Sequence, residues 1–171
     1  MGIVFGMGKP IGFLLTWSCY GTWLWGDDRG SVDANHNVWA TPLLPKDAKR
    51  VTGLRRRMKQ EPYRLSEAAR QVVKETIEDH CLRRGWELLA VNVRSNHVHV
   101  VVQFAEVAPE VMIGEWKAWS SRRLRRRGFA ASAQPVWTKH GSTRYLWKER
   151  ELAPAVRYVL EGQDADRFGD P

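Results

Sequence analysis

Two histidines one residue apart, in Asn96-His97-Val98-His99, and a tyrosine much later in the chain, Tyr158, are the side chains whose types and spacing can do chemistry. Side chains of a β-strand alternate between faces, so His97 and His99 point the same way, with Val101 and Gln103, while Val98, Val100, Val102 and Phe104 form an apolar face. Same-face neighbours are close enough for two ring nitrogens to reach one ion. Neutral imidazole is the commonest protein metal ligand, so this spacing predicts a divalent cation held by both rings. A half-exposed surface pair is the plain alternative. Tyr158 stands two residues from both Val156 and Leu160, so at about 100° per helical residue it projects roughly 200° away from them. It therefore lies off their stripe, either as a nucleophile or as an exposed aromatic packed on a neighbouring element.

The elements that must position these groups follow from local patterns. The histidines sit on the second strand of a hairpin spanning Trp86 to Phe104 and turning at Arg94-Ser95-Asn96. Phe13 to Cys19, bounded by Gly12 and Gly21, reads as an apolar first strand. Residues 20–60 are dense in Gly, Asp, Asn and Pro and read as a long loop insert. That stretch carries Trp23, Trp25 and Trp39, then Lys46, Lys49, Arg50 and the run Arg55-Arg56-Arg57. Ser66 is the N-cap of a helix whose inward positions are Ala69, Val72, Val73, Thr76, Ile77 and Cys81, with Gly85 as its stop and His80 at its edge. Pro109 opens a second helix with Ile113, Trp116, Ser120 and Leu124 on one face. It ends in Arg122, Arg123, Arg125, Arg126 and Arg127. Residues 134–138 and 142–147 read as a short strand pair turning at His140-Gly141. A last helix starts near Pro154 and stops at Gly162, with Leu152, Val156, Val159 and Leu160 as its stripe.

The order strand, helix, strand, strand, helix, strand predicts an α+β fold. The expected architecture is a ferredoxin-like split βαβ sandwich: an antiparallel sheet with helices on one face and the other face open, plus a C-terminal helix carrying the tyrosine. One domain over 1–171 is expected, with its core at about 11–163.

Composition narrows the partner. Of 171 residues 43% are hydrophobic, enough for a single core, and 27 Lys plus Arg against 19 Asp plus Glu leave a formal charge of +8. That balance favours an anionic polymer. Nine Trp interspersed with Arg suit stacking on single-stranded nucleic acid, although many must be core. Cys19 and Cys81 have no Cys-x-x-Cys spacing, which points away from a disulfide framework or a zinc cluster and towards reduced thiols in the cytoplasm. No apolar run approaches a membrane span, so no membrane partner is expected.

Taken together, the element order, the Asn96-His97-Val98-His99 strand and the tyrosine of the terminal helix resemble the single-tyrosine transposases of the HUH superfamily, the group that includes insertion-sequence and REP-associated tyrosine transposases. The resemblance implies that His97 and His99 bind Mg²⁺ or Mn²⁺, with Glu161 or Gln163 as candidates for a third ligand. It implies that Tyr158 is the nucleophile of a single-stranded DNA nuclease and transposase acting at hairpin-flanked sites through a covalent 5′-phosphotyrosine. It also implies a homodimer in which the tyrosine helix of one subunit serves the histidines of the other. Ser95 stands where relatives frequently have Pro. The position four residues beyond the tyrosine, where relatives often have a polar ligand, is Gly162. Arg122, Arg123, Arg125, Arg126, Arg127 and Arg55, Arg56, Arg57 are candidate DNA contacts. The competing readings are a non-catalytic nucleic-acid-binding module and a small-molecule hydrolase with zinc on the histidines and Glu106.

Overall fold

The first strand, β1 (Gly12–Ser18), is the hub of the structure, because two strands add to it from either side. In this computed structural model, which describes residues 8–24 and 45–161, β1 pairs antiparallel with β3 (His97–Gln103) on one edge and β4 (Ser142–Leu146) on the other. With β2 (Leu88–Val93) beyond β3, the four-stranded sheet runs β2-β3-β1-β4 and every pairing is antiparallel. Side chains pack on both faces of this central strand, so it must be apolar on both, and Phe-Leu-Leu-Thr-Trp is such a run.

Register then sets the core. Phe13 faces Val102, Leu15 faces Val100 and Trp17 faces Val98, so the apolar face expected of β3 continues across β1. Helices α2 (Glu67–Arg84) and α3 (Pro109–Arg126) bury their stripes on this face. The buried positions of α2 are Ala69, Val72, Val73, Thr76, Ile77 and Cys81, as their spacing predicts. Ser66 accepts a hydrogen bond from the Ala69 N–H and Gly85 closes the helix at φ 67°, a left-handed conformation that favours glycine. On α3, Trp116 stacks on Trp17 with ring centroids 5.8 Å apart. Each such fully buried large side chain contributes roughly 1.5–3 kcal/mol of transfer free energy.

Four features differ from the sequence expectation. Within the expected loop insert, Ala48–Arg57 forms a helix, α1, capped by the Asp47 carboxylate accepting from the Arg50 N–H. It buries no residue, so it lacks the apolar stripe that would announce it. The stretch from 134 to 147 does not fold back on itself; both halves lie along β1. Trp137 bridges Cys19, whereas extending the Thr16–Ser142 register would set Lys139 there, so two extra residues bulge out. The Lys117 ammonium donates to the carbonyls of Thr138 at 2.8 Å and His140 at 3.1 Å, serving acceptors that the bulge removes from the ladder.

The last helix, α4 (Glu149–Leu160), begins five residues before Pro154, which lies inside it. The Glu151 carboxylate starts it by accepting from the N–H groups of Trp147 and Lys148. Finally, the second face of the sheet is not open. Ala155 and Val159 of α4 pack on Ala90, Val101 and Leu146, with Leu14, Leu152 and Val156 at the margin. Leu160 is exposed and does not belong to the stripe.

Candidate active site

Covering the second face brings α4 onto the histidines. His97 opens β3 and is half-buried, and His99 is 8% exposed. Their ring centroids are 4.8 Å apart at 85°. Each Nδ1 atom has its own partner: Asn96 Oδ1 lies 2.6 Å from that of His97, and Thr16 Oγ1 lies 2.8 Å from that of His99. Thr16 reaches it because it is the residue opposite His99 on β1. An amide oxygen only accepts, so the His97 Nδ1 donates to it and Nε2 is the nitrogen able to face an ion. Burial, reinforced by His97 and Arg94, pushes the His99 pKa down to about 3, so its ring is neutral at ordinary pH, the form that binds metal.

Tyr158 completes the group. Its ring meets His99 edge-on, centroids 5.7 Å apart, while 46% of the residue stays exposed. Asn92, opposite His99 on the β2 side, donates through Nδ2 to the Val159 carbonyl at 2.9 Å and so ties the last turn of α4 to the sheet. A cleft of about 620 Å³ opens beside the tyrosine, lined by Leu14, Thr16, His99, Ser142, Arg144, Arg150, Glu151, Pro154, Ala155 and Tyr158.

Two imidazoles with their second nitrogens already engaged fit a cation that keeps oxygen ligands from water and phosphate in its other positions, as Mg²⁺ and Mn²⁺ do. Glu161 is the exposed C-cap of α4, and Gln163 lies outside the described residues. Among the described residues no third His, Cys, Asp or Glu joins the pair. Glu106 pairs with Lys9 at 2.5 Å. It lies beyond the far end of β3, roughly 20 Å from His97 at about 3.3 Å per strand residue, which disfavours a zinc site that includes it.

The arginine clusters singled out from the sequence are not gathered at this site. Helix α3 lies on the opposite face of the sheet, and two of its arginines face the acids of α2: Arg123 meets Asp79 at 2.7 Å and Arg127 meets Glu75 at 4.0 Å. Arg125 donates to the Gln134 carbonyl, Arg122 lies over the Trp119 ring and Arg126 is exposed. Arg55, Arg56 and Arg57 form the exposed last turn of α1. Of the loop tryptophans, Trp23 is half-buried, whereas Trp25 and Trp39 lie outside the described residues. His80 joins Arg84 in clasping Glu115 across the α2–α3 contact, as suits a helix-edge histidine. Thr16, Asn92, Arg144 and Arg150 were not singled out by sequence reasoning, because strand pairing and the α4 start that align them leave no local motif.

Fold and site thus define an α+β domain with an antiparallel sheet that presents two histidines and, from the helix laid over them, a tyrosine. The family model described as "Transposase IS200 like" matches residues 55–152, more than half the chain. The chain belongs to the IS200-like transposase family. The match spans both histidines and ends before Tyr158. Among solved structures, a REP-associated tyrosine transposase bound to a REP hairpin aligns over 93% of this chain and 70% of its own, with 9% identity and a TM-score of 0.45. A "putative transposase" from Deinococcus radiodurans R1 aligns over 93% and 95%, with 16% identity and a TM-score of 0.46. No curated protein matches the chain. No described helix is long and apolar enough to cross a membrane.

Proposed function

We propose that this chain cleaves and rejoins single-stranded DNA at hairpin-flanked sites, with Tyr158 as nucleophile. The carrying observation is the contact of Tyr158 with His99, 5.7 Å between ring centroids, within one chain. Attack by the phenolic oxygen on phosphorus breaks the bond to the 3′ oxygen, leaves the 5′ phosphate esterified to Tyr158 and releases a 3′-hydroxyl. One ester replaces another, so the strand can later be rejoined by reversal. His97 and His99 would hold Mg²⁺ or Mn²⁺, which supplies Lewis-acid stabilisation of charge on the phosphate oxygens. Asn96 and Thr16 orient the two rings, and Asn92 holds the tyrosine helix over them.

Edge-on packing of Tyr158 against the His99 of its own chain supports action in cis, in place of the exchange between subunits that the resemblance implies. Any homodimer would then carry two self-contained sites. The exposed arginines at the ends of α1 and α3 would contact the DNA backbone outside the site.

The test is a denaturing gel of protein mixed with a library of labelled single-stranded hairpins, with Mn²⁺ or with chelator. A denaturation-resistant adduct that needs both metal and Tyr158, and is absent in Tyr158→Phe, supports the reading. Salt-sensitive binding with no adduct across the library would leave the non-catalytic module in its place.

A further inference from the structure

The cleft beside Tyr158 has walls of three kinds. Thr16, His99 and Tyr158 form its reactive side; Leu14, Pro154 and Ala155 are its apolar lining; Ser142, Arg144, Arg150 and Glu151 are its remaining polar lining. The strand register explains the polar lining. Arg144 lies opposite Leu14 and Ser142 opposite Thr16, so alternation turns both towards the α4 face of the sheet, away from Phe13 and Tyr145. Arg150 enters from the first turn of α4.

Charge in the cleft is lopsided. Among the described residues Glu151 is its one acid, and its carboxylate already accepts from the N–H groups of Trp147 and Lys148. Those two bonds, with Arg144 and Lys148 nearby, hold it below the usual carboxylate range. Arg144 and Arg150 bring two guanidiniums to the same lining, and their planar forks match phosphate oxygens. The volume, about 620 Å³, is that of a small-molecule site and too small for a duplex.

We propose that this cleft is a one-nucleotide pocket: it takes the unpaired nucleotide next to the scissile phosphate, with Arg144 and Arg150 on its phosphate and Leu14, Pro154 and Ala155 against its base or sugar. The assignment rests on reading Tyr158 as the nucleophile, since the reacting phosphate must then lie against the Tyr158 and His99 side of the cleft. It also gives a physical reason for a single-strand substrate, because a base held against Leu14, Pro154 and Ala155 is out of its stack.

Two variants, Arg144→Gln and Arg150→Gln, test it with a fluorescein-labelled oligothymidylate of about 20 nucleotides and with any hairpin that forms the adduct. Each is expected to reduce the log–log salt slope of oligothymidylate binding by about 0.7, the loss of one phosphate contact. Each should slow adduct formation about tenfold, the loss of one charge-assisted hydrogen bond. Mn²⁺ binding should stay as in the wild type. Unchanged slope and rate in both variants overturn the pocket while leaving the nuclease intact. Reduced slopes with no Tyr158-dependent adduct in the wild type overturn the nuclease and with it the assignment to the scissile phosphate, leaving Arg144 and Arg150 as phosphate contacts of a binding cleft only. If Arg144→Gln does not fold, 4-thiothymidine in the same oligonucleotide replaces it. Photocrosslinks within 142–144 or 154–158 support the pocket; crosslinks confined to α1 or α3 overturn it.

Discussion

Of the three site residues, His99 has the most to lose from a change of pH. Its folded pKa of about 3 lies below the ordinary 6.5, so between those values the unfolded chain binds a proton that the folded chain refuses. The stability that comes from keeping this ring neutral is present above pH 6.5 and is lost as pH falls towards 3. Without metal, the loss between pH 6.5 and 5 should be about 1.6 kcal/mol, the slope rising from half to the full 1.36 kcal/mol per pH unit over that interval. Denaturant melts of wild type and His99→Gln in chelator check this: the variant's stability should fall less over that interval. An equal fall in both would show that His99 is not the group. At the neighbouring position, His97→Ala should abolish the heat of Mn²⁺ binding in a calorimetric titration while leaving the melt of the metal-free protein almost unchanged, because His97 is only half-buried. This level was the most legible in the sequence, since a two-residue period is all that is needed to put two rings on one face. What the period does not show is the partner that orients the second ring, because Thr16 is 83 residues from His99 and meets it only through the β1–β3 register.

Among the elements of the site, α4 carries the proposed nucleophile on a slender footing. Only Ala155 and Val159 are buried on it, and Pro154 in its interior leaves the Arg150 carbonyl without its helical partner. Such a helix opens locally at lower cost than the sheet. Asn92 offsets this by taking the Val159 carbonyl, one of the last four that no helical N–H can reach. Asn92→Leu should therefore cost about 1–3 kcal/mol, the penalty for an unsatisfied buried acceptor. Hydrogen exchange should show faster amides in 153–161, unchanged protection in β1 and β3, and lower adduct yield. Uniform loss of protection would mean that Asn92 supports the whole fold instead. The helices α2 and α3 could be read from their caps and stripes because those signals are local. The start of α4 was not, since a proline is usual in a first turn and the true start depends on Glu151 turning back to the amides of Trp147 and Lys148. The bulge before β4 was equally hidden, because Lys117, which serves its carbonyls, comes from another element.

For the whole molecule, the open choice is whether one chain or two build each site, and chain length bears on it directly. Between the end of β4 at Leu146 and the start of α4 at Glu149 there are two residues, Trp147 and Lys148. An extended chain spans at most about 3.6 Å per residue, so the three steps from Leu146 to Glu149 reach at most about 11 Å while β4 stays on its own sheet. Reaching another subunit would mean opening the Glu151 cap and exposing Ala155, Val159, Val101 and Leu146, which now bury one another. Mixing purified His97→Ala with Tyr158→Phe separates the arrangements. With exchange between subunits, random pairing puts half the dimers in mixed form, each with one intact site of two, so about a quarter of the wild-type adduct returns. With each tyrosine serving its own histidines, every site lacks one group and no adduct forms. We expect none, in single-turnover gels at protein concentrations that hold any dimer together. Recovery near a quarter would mean that α4 trades places in solution and that its packing against Val101 is made by the partner's sheet.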